Sequence, residues 1–227
     1  MENKTKANKK KSDVKINQKP SVEQSVEPSG ENITHKELWD GIVGNKDAMT
    51  EFTSKYRHIM NEIGTKLPCN RFLTGNILEE LVANLAISSG YDVEHLPNAK
   101  RIDLIIKGYG GVSVKYNGSG DIRLHNSNGC INKDENVVTT LIVTPKSIYL
   151  IVIDELEKHN INIRDYIKNS GDSLNLKSKI LKDVWKSNYP FKIDYDLNID
   201  KNKCKNRECH KIVFEKLMEE YNKLKIS

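Results

Sequence analysis

The sequence predicts a mixed α/β domain, a mixed β-sheet flanked by helices, behind a disordered basic N-terminal tail. Three observations carry that expectation. Helical periodicity runs through residues 34–88, five short apolar segments of strand character crowd between about 91 and 154, and helical patterns return towards the C-terminus. A chain of 227 residues, 37% hydrophobic and 30% charged, has enough apolar content to build one core of ordinary size. No internal repeat interrupts this plan.

Residues 1–32 contain no aromatic residue and no apolar period, so they cannot bury enough surface to offset their ordering entropy. Seven lysines against Glu2 and Asp13 in the first twenty residues account for the whole net charge of +5. Everything after residue 20 is therefore formally neutral. The expected domain is 33–227. The tail fits either a polyanion-binding or nuclear-targeting segment or a plain solvated leader. No apolar run reaches the roughly 18–20 residues that span a bilayer, and no apolar run follows the N-terminal charges as in a secretory signal. A soluble intracellular protein is expected, cytoplasmic, or nuclear in a eukaryotic host, with no membrane partner. The four cysteines are scattered and expected to be reduced. Cys204, Cys209 and His210 offer three ligands where zinc normally takes four, and a solvated lysine-rich turn is the simpler reading.

Order is expected to begin at ITHKELW, where Thr34 and Glu37 have the spacing of a capping box. A second helix is predicted over 46–63, with Phe52, Tyr56, Ile59 and Ile63 on one face. A third is predicted over 74–88, with Leu78, Leu81, Val82 and Leu85 as its stripe and Gly90 as its stop. The segments YDVEHL, RIDLIIKG, GVSVKYN, VVTTLIVTP and SIYLIVID read as strands, the last two apolar enough to be covered on both faces. The polar stretch GSGDIRLHNSNG lies between them. Helices are predicted at 174–186 and about 211–225. Trp39 and Trp185 are read as core or helix-packing residues.

Strand alternation gives the chemistry its place. Ile102, Leu104 and Ile106 share one face, as do Val112 and Val114, which leaves Asp103 on the other face with Ser113 and Lys115. Pairing through the KGYGG turn brings Asp103 and Lys115 to one side of the sheet. On the preceding helix Glu79 lies at the margin of the apolar stripe, directed more to the sheet than Glu80. A Glu on a helix, an Asp on one strand and a Lys on the next can serve a hard cation. Two carboxylates hold Mg²⁺, with Mn²⁺ as its substitute, and an ammonium orients or deprotonates a water. Taken singly, Asp103 and Lys115 also fit an ordinary solvated face with a cross-strand ion pair.

GNILEELVANLAISSGYDV, then RIDL, then VSVK, resembles the core of the PD-(D/E)xK nuclease superfamily, whose fold is restriction-endonuclease-like. The resemblance covers about residues 74–117 and a short, degenerate motif. It implies that Glu79 and Asp103 are metal ligands, that the carbonyl of Val114 is a further ligand, and that Lys115 activates or positions the attacking water. Two positions depart from the pattern. Ile102 stands where a Pro is common. Ser113 stands where a second acid is expected, and it can support a bound water without adding charge.

The implied activity is Mg²⁺-dependent hydrolysis of DNA phosphodiesters, by a homodimer if both strands are cut. A nuclease fold that binds nucleic acid without cutting it is the alternative, and Ser113 is its main support. Arg123 and Asn126, in the polar stretch after the hairpin, and Arg71, before the Glu79 helix, are candidates to meet phosphates or base edges. A surface loop of ordinary polar composition explains the stretch equally well. His125 alone is a weak candidate for a ligand or base.

Overall fold

A computed structural model defines residues 32–63, 68–96, 102–126, 138–170, 173–195 and residue 219. These residues form a mixed α/β structure in which a mixed six-stranded sheet is flanked by helices. The expected tail, the cluster of Cys204, Cys209 and His210, and the expected helix over about 211–225 fall almost wholly outside them. Among the described residues no helix is long and apolar enough to cross a membrane.

Three helices open the domain: α1 (His35–Gly44), α2 (Lys46–Ile63) and α3 (Pro68–Ser88). The Thr34–Glu37 capping box forms, each side chain satisfying a backbone N–H that the first helical turn leaves unpaired. In α2, Phe52, Tyr56 and Ile59 are buried as their spacing predicts. Helix α3 starts before residue 74 and buries a face wider than the predicted stripe. It packs on α2 as well as on the sheet, and this needs Ile77, Ala83 and Ala86 buried beside the predicted stripe. Gly90, at φ +92°, closes α3: its own N–H reaches Ile87 and that of Tyr91 reaches Ala86. Tyr91 then packs on Gly41 and donates its hydroxyl to the Glu37 carbonyl at 2.7 Å, tying the end of α3 to α1.

The sheet has the order β1-β2-β3-β5-β6-β9, with β1 (Val93–His95), β2 (Leu104–Ile106), β3 (Gly110–Tyr116), β5 (Thr140–Val143), β6 (Ser147–Ile151) and β9 (Lys192–Asp194). Every neighbouring pair is antiparallel except β3 and β5, which run parallel with Ser113 opposite Thr140. β5 and β6 are buried along their whole length, as their apolar runs predict. A second, three-stranded sheet has the order β4-β8-β7, from β4 (Ile122–Asn126), β8 (Ser173–Leu176) and β7 (Ile167–Ser170). Ile122, Leu124, Leu174 and Leu176 from it join the common core.

The hairpin that raised the charged-residue question pairs Leu104 with Val112 and Ile106 with Gly110. Gly111 matters by its lack of a side chain. A Cβ there meets Ile102 Cδ1 at 2.7 Å and two further Ile102 carbons at 3.0 Å. Gly111→Val therefore has to displace the residue next to Asp103, and we expect a loss of about 1–3 kcal/mol in urea unfolding.

Three expectations change, and the polar stretch, left open between loop and strand, resolves in part as a strand. The predicted helix over 174–186 is strand β8 followed by α5 (Lys179–Lys186). The predicted strand through residue 154 stops at Ile151, and α4 (Ile153–Lys158) follows. The polar stretch after the hairpin contains β4. Trp185 is 41% exposed, with its ring against Tyr149 and Lys192 Nζ 4.9 Å from its centroid, whereas Trp39 is buried as expected.

Candidate active site

The site forms where β2 ends and β3 continues. The last backbone bond between the two strands runs from Asp103 N to the Val112 carbonyl at 3.0 Å. One step further along β3, the N–H of Val114 would meet no strand. The side chain of Asp103 takes that place, its Oδ2 accepting from Val114 N at 2.6 Å. The same oxygen accepts from Ser113 Oγ at 2.9 Å and Lys115 Nζ at 2.8 Å. A carboxylate only 9% exposed is tolerable on these terms, because three donors replace its water and one of them is cationic. Lys115 Nζ also donates to the Val114 carbonyl at 3.0 Å. That carbonyl therefore lies on the same open edge.

All three donors converge on Oδ2. The second oxygen, Oδ1, stands outside this network and is the atom with which Asp103 can engage a cation. Glu79 comes to the same place from α3, which packs on β1 and β3. Burial raises its pKa above the ordinary carboxylate range, and the Asp103 charge raises it further, against the opposing effects of His95 and Lys115. The two acids are thus electrostatic neighbours with more negative charge between them than Lys115 offsets.

Sequence reasoning missed His95. Its Nε2 lies 3.4 Å from Glu79 Oε2 and its Nδ1 3.4 Å from Glu80 Oε1. Glu80 is thus turned to the edge of the sheet as well, not away from it. The signal was a histidine among the acids of YDVEHL, and its meaning depends on how β1 sits against α3.

The structure brings together Glu79, Asp103, Ser113, Val114 and Lys115. Arg123 is exposed on β4, in register with Asn175, which in turn faces Lys168 on β7. Arg71 lies in α3 and Asn126 and His125 in β4, with side chains outside the described residues.

The donor set fits a hard divalent cation. Two carboxylates and a backbone carbonyl are oxygen ligands, and Mg²⁺ completes its shell with water. Among the described residues no group of three or more His, Cys, Asp or Glu side chains is arranged to hold a metal ion.

The raised pKa of Glu79 makes a prediction for the cation-free protein. The folded state holds that proton more tightly than the unfolded chain, so stability falls as pH rises through the ordinary carboxylate range to the raised value. Above it the cost is fully present. Glu79→Gln is expected to raise the melting temperature at pH 7 in EDTA, with the gain shrinking to nothing below about pH 4. A destabilised variant at pH 7 would mean that His95 and Lys115 outweigh burial.

No family model matches the chain, and neither a curated protein nor a solved structure does.

Proposed function

We propose that this protein is a Mg²⁺-dependent DNA endonuclease of restriction-endonuclease-like fold. One observation carries the reading: Lys115, Ser113 and the Val114 amide all close on a single oxygen of Asp103, beside Glu79. An ordinary cross-strand ion pair on a solvated face does not bury its carboxylate or recruit a backbone amide. A hairpin that ends early to open the Val114 peptide, and a helix that adds a second acid there, support the reading further.

In this reading Asp103, Glu79 and the Val114 carbonyl would hold the cation, which would supply positive charge for the phosphate and acidify water. Lys115 would orient the attacking water from the place where its ammonium now donates to Asp103 Oδ2 and the Val114 carbonyl, and would take up the water's proton only after giving one of its own to solvent. Ser113 holds Asp103 by its hydroxyl and brings no charge. Arg123, exposed on β4, is carried with Asn126 and Arg71 as a candidate phosphate or base-edge contact from the sequence. Duplex cleavage would call for a homodimer, whose two-fold axis matches that of the duplex.

Incubation of supercoiled plasmid with Mg²⁺ or Mn²⁺ tests this. Wild type is expected to nick or linearise it, and Lys115→Ala is expected to lose cleavage by about 10²–10³-fold while still binding DNA. Cleavage unaffected by the substitution would remove Lys115 from the chemistry. Ser113 favours a second reading, in which the same fold grips nucleic acid without cutting it. Binding by wild type and variant alike, with cleavage by neither, would select that one.

A further inference from the structure

His95 has no part in the reaction just described, yet it is fixed as carefully as the residues that do. Its strand β1 has three residues and sits at the edge of the sheet, where side chains are usually free. Here His95 faces Leu104 in the ladder, and the next residue, Leu96, donates its N–H to the Asp103 carbonyl at 2.9 Å. The backbone of β1 is thereby locked to the residue that anchors the site. The ring is 16% exposed and lies between Glu79, 15% exposed, and Glu80, 21% exposed.

We infer that His95 is a positioning residue for Glu79, a role that rests on the reading of Glu79 and Asp103 as cation ligands. Glutamate has three rotatable side-chain bonds, and on a helix next to a sheet edge it can point to the site or away from it. Contact of Nε2 with Glu79 Oε2 selects one of these arrangements before a cation arrives. Contact of Nδ1 with Glu80 Oε1 fixes the ring from the other side. The site is then built by the same device twice. Asp103 has Oδ2 held by protein groups, Glu79 has Oε2 held by His95, and each acid keeps its other oxygen for a ligand. His95 itself is not a ligand here, because both ring nitrogens are directed at carboxylates. Residues that brace a metal ligand commonly change affinity by about 10–100-fold when removed.

Mn²⁺ titration of the full chain, followed by the electron paramagnetic resonance signal of free Mn²⁺, tests the inference without reference to cleavage. His95→Gln carries an amide to about the position of Nε2 and keeps the Glu79 contact. His95→Asn carries one to about the position of Nδ1 and keeps only the Glu80 contact. Wild type and His95→Gln are expected to bind Mn²⁺ within a few-fold of one another, and His95→Asn about 10–100-fold more weakly. Circular dichroism melting compares the two variants' folds, and both lose the same ring. Equal affinity in His95→Asn and wild type would overturn the positioning role and leave the cation site standing. No binding by wild type at millimolar Mn²⁺ would overturn the cation site and the inference with it.

Discussion

Asp103→Asn is expected to abolish plasmid cleavage, with a fall of about 10²–10³-fold or more, and to weaken the fold at the same time. The two losses have separate causes. Cleavage fails because a neutral amide oxygen replaces the charge that a cation needs. Stability falls because Oδ2 serves Ser113, Val114 and Lys115 together, and an amide oxygen is a weaker acceptor for all three. We expect about 1–3 kcal/mol for Asn. Asp103→Ala should cost more, about 3–5 kcal/mol, since it strands a buried amide and a half-buried ammonium together. Urea unfolding in EDTA measures this part, and plasmid cleavage at saturating Mg²⁺ the other. A folded Asp103→Asn protein that cuts at the wild-type rate would remove Asp103 from the reaction.

Ser113→Asp is expected to make stability depend on the cation. Ser113 is 2% exposed and its Oγ lies 2.9 Å from Asp103 Oδ2. A carboxylate there loses a donor, gains a like charge at contact distance and has no water around it. Without divalent ions we expect a loss of about 2–4 kcal/mol. With Mg²⁺ or Mn²⁺ the added acid becomes a ligand, so the melting temperature should rise far more than for wild type. Mn²⁺ affinity should rise by about tenfold or more. Melting curves in EDTA and in 10 mM Mg²⁺, a concentration on the order that saturates weak oxygen-ligand sites, read both effects. Equal destabilisation in both conditions would show that position 113 does not face the cation site.

Asp103, Ser113 and Lys115 were legible because everything that joins them is local. Two strands, a glycine turn and the period of two fix which side chains share a face, and residues 103–115 contain all of it. Glu79 was legible from its place on the wheel. His95 was not, because a three-residue strand has no period to read, and the contact that Glu80 makes with it was hidden with it. Over 173–186 the residues Leu174, Leu176, Ile180 and Val184 are all buried, and the last three recur every four positions. Only the two-residue step from Leu174 to Leu176 marks β8, whose pairing with β4 lies some fifty residues back in the chain. Separation of that kind leaves no trace in a local window. β5 and β6 were legible as buried strands, but their order in the sheet was not.

The single parallel pairing, β3 with β5, has a consequence for synthesis. The β2–β3 hairpin can close by itself, since its strands are neighbours in sequence, but its far edge stays bare until Thr140–Val143 leave the ribosome. Strand β4, which follows the hairpin, waits longer still, for Ser173–Leu176. The nascent chain thus carries its acids early and a finished scaffold late. An enzyme of this kind would be harmless until β5 and β8 have emerged, and arrested chains of graded length should gain cleavage in one step once they have.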